Sequence, residues 1–262
     1  MTDVLRLTRD GPFARVTLNR PEVRNAFNAR LIADLHAAFA GLAHEPPDAL
    51  RGVVLEGAGS VFCAGADIEW MRAAVGLSVG DNERDASAMQ AMFSAIAACP
   101  VPVIARVQGA ALGGGMGLCA ASDIVVAMAD ASFGFTETKL GIIPAVISTF
   151  VVPKIGESHA RALFATGERF DAARAQRIGL VHDVVTDEAA LDARIAARAD
   201  ELSAAGPTAL RQAKALVRDI REAGLEAAAQ GMPGRIARQR ASAEGQEGLS
   251  AFLERRAPSW KD

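Results

Sequence analysis

Two glycine- and alanine-rich loops constrain this chain more than any other feature: Phe62-Cys63-Ala64-Gly65-Ala66-Asp67-Ile68 and Gln108-Gly109-Ala110-Ala111-Leu112-Gly113-Gly114-Gly115-Met116-Gly117. Each follows a strand-like run and opens a helix-like one. That placement leaves unbonded backbone N–H groups at a helix start, where the dipole also favours negative charge. Tiny side chains let a ligand approach those amides closely. A lone Gly-Gly-Gly is explained as well by a tight turn and close helix packing; two such loops in one setting favour a ligand site. Phosphate cradles do not fit. Counted from Gly113 and Gly115, Leu118 stands where a dinucleotide fingerprint needs its third glycine, and no Lys-Ser or Lys-Thr follows to make a P-loop.

Around these loops the hydrophobic pattern alternates between strand and helix periods. Val4–Arg9 and Arg15–Asn19 flank Asp10-Gly11-Pro12 and read as a hairpin. From Asn28, a plausible N-cap, Leu31, Ile32, Leu35, Phe39 and Leu42 follow helical spacing until Pro46-Pro47. Strands are expected at 52–56, 101–107, 124–127, 133–135 and 181–185, with helices at 89–98 and from Gly114. This alternation predicts a layered α/β fold. Beyond Asp187 no strand candidate remains; helices are expected at 188–205, 208–223 and 244–256, and a boundary near residue 200. Leu77–Asp85, beside Gly76 and carrying Gly80 and several charges, reads as an exposed insertion able to cover a pocket.

Composition narrows the function classes. A net charge of −3 over 262 residues announces neither a nucleic acid nor a membrane surface as partner. Cys63, Cys99 and Cys119 are odd in number, sit in apolar surroundings and lack C-x-x-C spacing, which argues against a disulfide framework and a zinc site. No signal-like apolar block opens the chain, and no uncharged apolar stretch reaches the ~18 residues of a membrane span. A soluble, cytoplasmic protein with a small-molecule substrate is the expectation.

The two loops, with Asp123 after the second, resemble the signature of the crotonase, or enoyl-CoA hydratase/isomerase, superfamily. The resemblance covers nearly the whole chain in order: Asn19-Arg20-Pro21 through Asn25-Ala26, Phe133-Gly134-Phe135-Thr136-Glu137 to Leu140-Gly141, Thr166-Gly167-Glu168-Arg169-Phe170 to Ala175, Gly179-Leu180-Val181, and Phe252-Leu253-Glu254-Arg255-Arg256-Ala257-Pro258. It implies an α/β spiral of ββα turns over residues 1–200, then a helical trimerisation region over 201–262 in trimers that often pair into hexamers. It also implies an acyl-CoA thioester as substrate, with no metal or redox cofactor. The backbone N–H groups of Ala66 and Gly114 match the oxyanion-hole positions, and Ala64, Asp67 and Ile68 match the segment lining the CoA site. Ala26, Gly113 and Gly141 fall in matching segments as further binding candidates. Arg24, Phe252 and Lys261 are candidates for the CoA phosphates or adenine, across subunits included.

Elementary chemistry agrees with those roles. Proton transfer beside a thioester carbonyl builds negative charge on its oxygen, and a preorganised donor there is worth about 3 kcal/mol. Backbone amides carry no proton to lose, so side-chain identity at Ala66 is free to vary.

Hydration needs a base for water and an acid for the α-carbon. Two-glutamate members of the family place one carboxylate in the second loop and one in the later Phe-Gly segment. Here Glu137 occupies the later position, while Gly117 stands where the first glutamate is found. Single-glutamate members include Δ3,Δ2-enoyl-CoA isomerases. Yet Gly113 to Leu118, with Asp67-Ile68-Glu69-Trp70-Met71 and Pro144 to Ser148, resembles a bacterial subgroup assigned as 3-methylglutaconyl-CoA or carboxygeranoyl-CoA hydratases, which share the glycine. Glu137 lies in an apolar stretch, where burial raises a carboxyl pKa toward working pH; the alternative is a surface carboxylate paired with Lys139. The expectation is an enoyl-CoA hydratase in which Glu137 both takes and delivers the proton. An isomerase, a thioester hydrolase or decarboxylase on the same oxyanion hole, and a non-catalytic acyl-CoA-binding protein remain open.

Other candidates have plainer readings. Asp67 suits a helix N-cap and Asp123 a structural role. The four histidines show no metal spacing, and Cys63, with no histidine near it in sequence, reads as packing rather than a nucleophile. Trp70 and Met71 are candidates for the acyl pocket or for a core-facing helix side.

Overall fold

The computed structural model describes residues 3–261. β1 (Leu5–Asp10) and β2 (Phe13–Leu18) pair antiparallel as the expected hairpin. α1 (Ala29–Leu42) begins at Asn28, whose side chain accepts a hydrogen bond from the Leu31 N–H at 2.9 Å, and it buries the apolar stripe read from the sequence. Then come β3 (Gly52–Gly57), α2 (Ile68–Ala74), α3 (Val79–Ala97), β4 (Val103–Val107), β5 (Ala110–Leu112) and α4 (Gly114–Ala121). The chain continues through β6 (Ile124–Met128), β7 (Ser132–Gly134), α5 (Ala145–Thr166), β8 (Arg169–Asp171), α6 (Ala172–Arg177), β9 (Asp183–Val185) and α7 (Glu188–Ser203).

The large sheet runs β1-β2-β3-β4-β6-β9 and is parallel from β2 onward. Its central strands are buried on both faces, as covered parallel strands are. Alternation along β3 divides its side chains: Val53 and Leu55 face the main core with α1, α3, α4 and α5, while Val54 joins Ile104, Val126, Leu191 and Ile195 beneath α7. A second sheet, β5-β7-β8, pairs parallel and then antiparallel. Successive strand-strand-helix turns wound on these two sheets make the ββα spiral that the resemblance leads one to expect.

α8 (Pro207–Ala223), α9 (Leu225–Ala241) and α10 (Ala243–Glu254) form the helical tail. Gly206 has no side chain to cap α8, and the Glu244 carboxylate of α10 does so instead, accepting from the Thr208 and Ala209 N–H groups at 2.8 Å each. Lys214 of α8 reaches the sheet, donating to Asp123 at 2.6 Å and to the Val101 carbonyl at 3.0 Å. Asp123 also accepts from the Val103 N–H at 2.7 Å, so it is a structural clamp.

Several boundaries differ from expectation. Leu77–Asp85 is not an irregular insertion: Ser78 caps a helix whose first turns occupy most of it, though Val79 is 84% exposed. The strand expected at 101–107 begins at Val103, and that at 181–185 at Asp183. α5 and α9 are additional. α5 contains Pro153 and a kink at Gly156 (φ 76°, ψ 159°), and α9 contains Gly231, Pro233 and Gly234, all of which interrupt a helical pattern in sequence. Among the described residues no helix is long and apolar enough to cross a membrane.

Candidate active site

The site starts from a strained corner. Arg24 and Asn25 both hold left-handed backbone (φ 55° each), a conformation that must be stabilised by its surroundings. Asn25 supplies that: its amide donates to the Ala58 and Val61 carbonyls at 2.9 and 2.7 Å and accepts from the Arg20 N–H at 2.9 Å. The corner sets Phe27 beside the first loop, where its N–H donates to the Gly65 carbonyl (2.7 Å) and its carbonyl accepts from the Asp67 N–H (2.9 Å). This is a parallel bridge opposite Ala66, so the N–H of Ala66 itself points away from Phe27. It has no acceptor among the described residues.

On its other side the first loop is stitched to the second. Cys63 N–H donates to the Ala110 carbonyl at 3.1 Å and Leu112 N–H to the Cys63 carbonyl at 3.0 Å. A Cβ on Gly65 would lie 2.9 Å from the Leu112 carbonyl oxygen and 3.7 Å from Gly113 Cα. Gly113 then turns the chain with φ 49° and ψ −115°, a conformation suited to glycine, and α4 begins with the Gly114 N–H unbonded. At Gly114 a Cβ would come within 2.5 Å of the Phe27 ring. Ala66 and Gly114 thus present two free amides to one cavity, at the positive end of α4.

Glu137 opens the short 3-10 turn Glu137–Leu140 after β7. Its Oε1 lies 3.4 Å from where a Cβ on Gly113 would stand, and its Oε2 is buried with no hydrogen-bond partner among the described residues. Burial pushes its carboxyl above the ordinary glutamate value, only partly opposed by its own backbone N–H. No ion pair with Lys139 exists among the described residues. Gly141 (φ 74°) ends the turn, so that the Ile142 N–H closes on the Glu137 carbonyl at 3.2 Å.

Gly117 has a physical explanation here. It is buried where α4 meets α3 and α5, and a Cβ would stand 2.5 Å from Ile147 Cγ2 and 2.6 Å from Phe93 Cζ. No second carboxylate fits without moving that wall.

The cavity encloses about 980 Å³. One side is apolar, with Trp70, Met71, Met89, Ile143, Val146 and Ile147; Glu22, Arg24, Glu69 and Arg169 are among the charged groups on its rim. Of the residues singled out in sequence, Arg24, Ala26, Ala64, Ala66, Asp67, Ile68, Gly113, Gly114 and Glu137 line it together, with Trp70 and Met71. Gly117 sits behind its wall, and the exposed Gly141, Phe252 (81% exposed) and Lys261 do not line it in a single chain. Phe27, Thr136 and Arg169 also line it and were not singled out in sequence as lining residues. Thr136 and Arg169 fall within segments quoted for the family resemblance, but nothing in their spacing marks a cavity.

Asp67 is committed locally. It caps α2 by accepting from the Glu69 N–H at 2.8 Å and pairs with Arg20 at 2.6 Å. Burial alone would raise its carboxyl, but Arg20 and the Glu69 amide hold it below the ordinary value. Cys63 is fully buried, its thiol pushed up to about 12, which makes it inert as a nucleophile. His182 accepts from the Val125 N–H through Nδ1 at 2.9 Å, a structural contact. Among the described residues no three His, Cys, Asp or Glu side chains cluster at metal-binding distances.

Known proteins similar to this chain are numerous. The family model described as enoyl-CoA hydratase/isomerase matches residues 9–262. A putative enoyl-CoA hydratase of Thermus thermophilus is 34% identical over 95% of this chain and 97% of its own length. Among solved structures, AtuE of Pseudomonas aeruginosa superposes with a TM-score of 0.95 at 37% identity over 99% of this chain and 100% of that one. An enoyl-CoA hydratase of Shewanella pealeana gives 0.92 at 36% identity over 98% and 96%. This chain belongs to the enoyl-CoA hydratase/isomerase family and is an enzyme of the crotonase fold.

Proposed function

We propose that this enzyme adds water across the 2,3 double bond of an enoyl-CoA thioester, with Glu137 as its only acid/base group. The observation that carries the reading is a half-buried carboxylate, with no partner among the described residues, facing the Gly113–Gly114 turn and lining one cavity with two free backbone amides. The thioester oxygen sits between the Ala66 and Gly114 N–H groups. Ionised Glu137 takes a proton from water as the oxygen of that water bonds to C3. The electron pair of the double bond moves to the thioester oxygen, giving an enolate that the two amides stabilise. Protonated Glu137 then returns its proton to C2, leaving a 3-hydroxyacyl thioester by syn addition. A carboxyl whose pKa is raised toward neutrality serves both half-steps.

Arg24 on the rim suits the CoA phosphates, and Ala26, Ala64 and Ile68 suit the passage of its pantetheine arm. Phe252 and Lys261 reach a CoA only if a neighbouring subunit brings them, which fits a trimer or hexamer built on the exposed tail. For a substrate of the 3-methylglutaconyl type, Arg169, which pairs opposite Gly134 of β7 and lines the same cavity as Glu137, is a cationic group available to a distal carboxylate.

Gly117 favours one rival. A single carboxylate suffices to shuttle a proton between two carbons, so a Δ3,Δ2-enoyl-CoA isomerase is the second reading. Ultraviolet absorbance of the conjugated enoyl thioester separates them. Crotonyl-CoA or 3-methylglutaconyl-CoA should lose absorbance with the enzyme. No loss with either, together with a rise from a 3-enoyl-CoA, would replace hydratase by isomerase, and no change with all three would leave a non-catalytic acyl-CoA-binding protein.

A further inference from the structure

Trp70 belongs to two hollows at once. Besides the main cavity, a groove of about 320 Å³ runs between α1 and α3, lined by Ala29, Ile32, Ala33, His36, Ala88 and Ala91. Among the described residues, Trp70 and Asp85 are the only ones that line both. The indole is half-buried against the main core. It stands in the first turn of α2, whose start is held by the Asp67 cap and the Asp67–Arg20 ion pair. Its backbone is therefore fixed relative to Ala66. On the far side, facing alanines of α1 and α3 leave open space that larger side chains would fill.

We propose that Trp70 is the partition that limits acyl-chain length in this enzyme. The inference rests on the acyl-CoA reading of the main cavity. An acyl chain running from a carbonyl at Ala66 and Gly114 along Met71 and Met89 ends at the indole. Beyond the indole lies the groove, apolar along its alanines and Ile32 and open to solvent, with room for further methylenes that the intact side chain withholds. Trp70 thus reads the length of the chain, while Glu137 and the two amides act on its carbonyl end.

The test uses saturated thioesters, which bind without reacting. Dissociation constants of butanoyl-CoA and dodecanoyl-CoA would be measured by calorimetry for wild type, Trp70→Ala, Ala33→Phe and the double variant, with crotonyl-CoA hydration by wild type followed in parallel. Relative preference for the dodecanoyl ester should rise about tenfold or more in Trp70→Ala, the usual yield of newly buried methylenes. It should return to the wild-type ratio in the double variant, and Ala33→Phe alone should change neither constant. An unchanged ratio in Trp70→Ala, a gain that Ala33→Phe does not reverse, or a loss of dodecanoyl binding in Ala33→Phe alone would each overturn the partition. Trp70→Leu replaces Trp70→Ala if the latter does not fold, with the same direction expected. Wild type that binds butanoyl-CoA but leaves crotonyl-CoA unchanged would refute hydration and leave the partition standing; wild type that binds neither ester would refute both.

Discussion

At the residue scale, the acid/base role proposed for Glu137 and the stability of the fold pull against each other. A carboxylate buried without a partner is costly to ionise, and that cost is what raises its pKa. With the folded value above the unfolded one, the favourable, protonated state is fully populated below the ordinary glutamate range, and stability is lost as pH rises through the raised value. Glutamine does not titrate. Glu137→Gln should therefore melt at a higher temperature than wild type at pH 8, with the gap closing toward pH 4 in thermal denaturation; a gap of equal size at every pH would assign the gain to something other than ionisation. The roles proposed for Glu137, Ala66 and Gly114 come from the family resemblance, but the small-residue loops and the carboxylate in an apolar run that carry it were legible in sequence as local patterns. The reason for Gly117 was not. Its excluding neighbours, Phe93 and Ile147, come from α3 and α5, and only the fold brings them to α4.

Among the elements, the strands and helices with an unbroken hydrophobic period were readable, α1 most completely. Those built around breakers were not: Pro153 and Gly156 hide α5, and Gly231, Pro233 and Gly234 hide α9. The three-residue strands β5 and β8 are too short to carry a period, although β5 and β7 are what align the Gly113 turn with Glu137. The tail poses a different question. α8 buries only Pro207, α9 nothing and α10 only Ala251, while Val217, Leu225, Ile236, Phe252 and Leu253 are exposed. Apolar side chains left uncovered on consecutive helices suit subunit contact. Light scattering should give a mass that is a multiple of three chains, and Leu253→Asp with Phe252→Asp should lower it; a wild-type monomer would remove the tail from any assembly role.

For the whole molecule, the spiral acts as a frame that sets two chain segments and one carboxylate against each other without a dedicated catalytic domain. Each segment is held from elsewhere: the first loop by Asn25 and Phe27, the second by β7, Glu137 by Gly141. Within this frame, one carboxylate is proposed to perform both proton transfers. Hydration of the preferred enoyl-CoA by wild type and by Glu137→Gln, each with its affinity for a saturated acyl-CoA, tests this most directly. In the variant kcat should fall about 10³-fold, within the usual range for removing an acid/base group, while the affinity stays within about threefold. A Glu137→Gln enzyme that kept more than about a tenth of the wild-type rate would contradict the one-carboxylate proposal and direct attention to another proton donor.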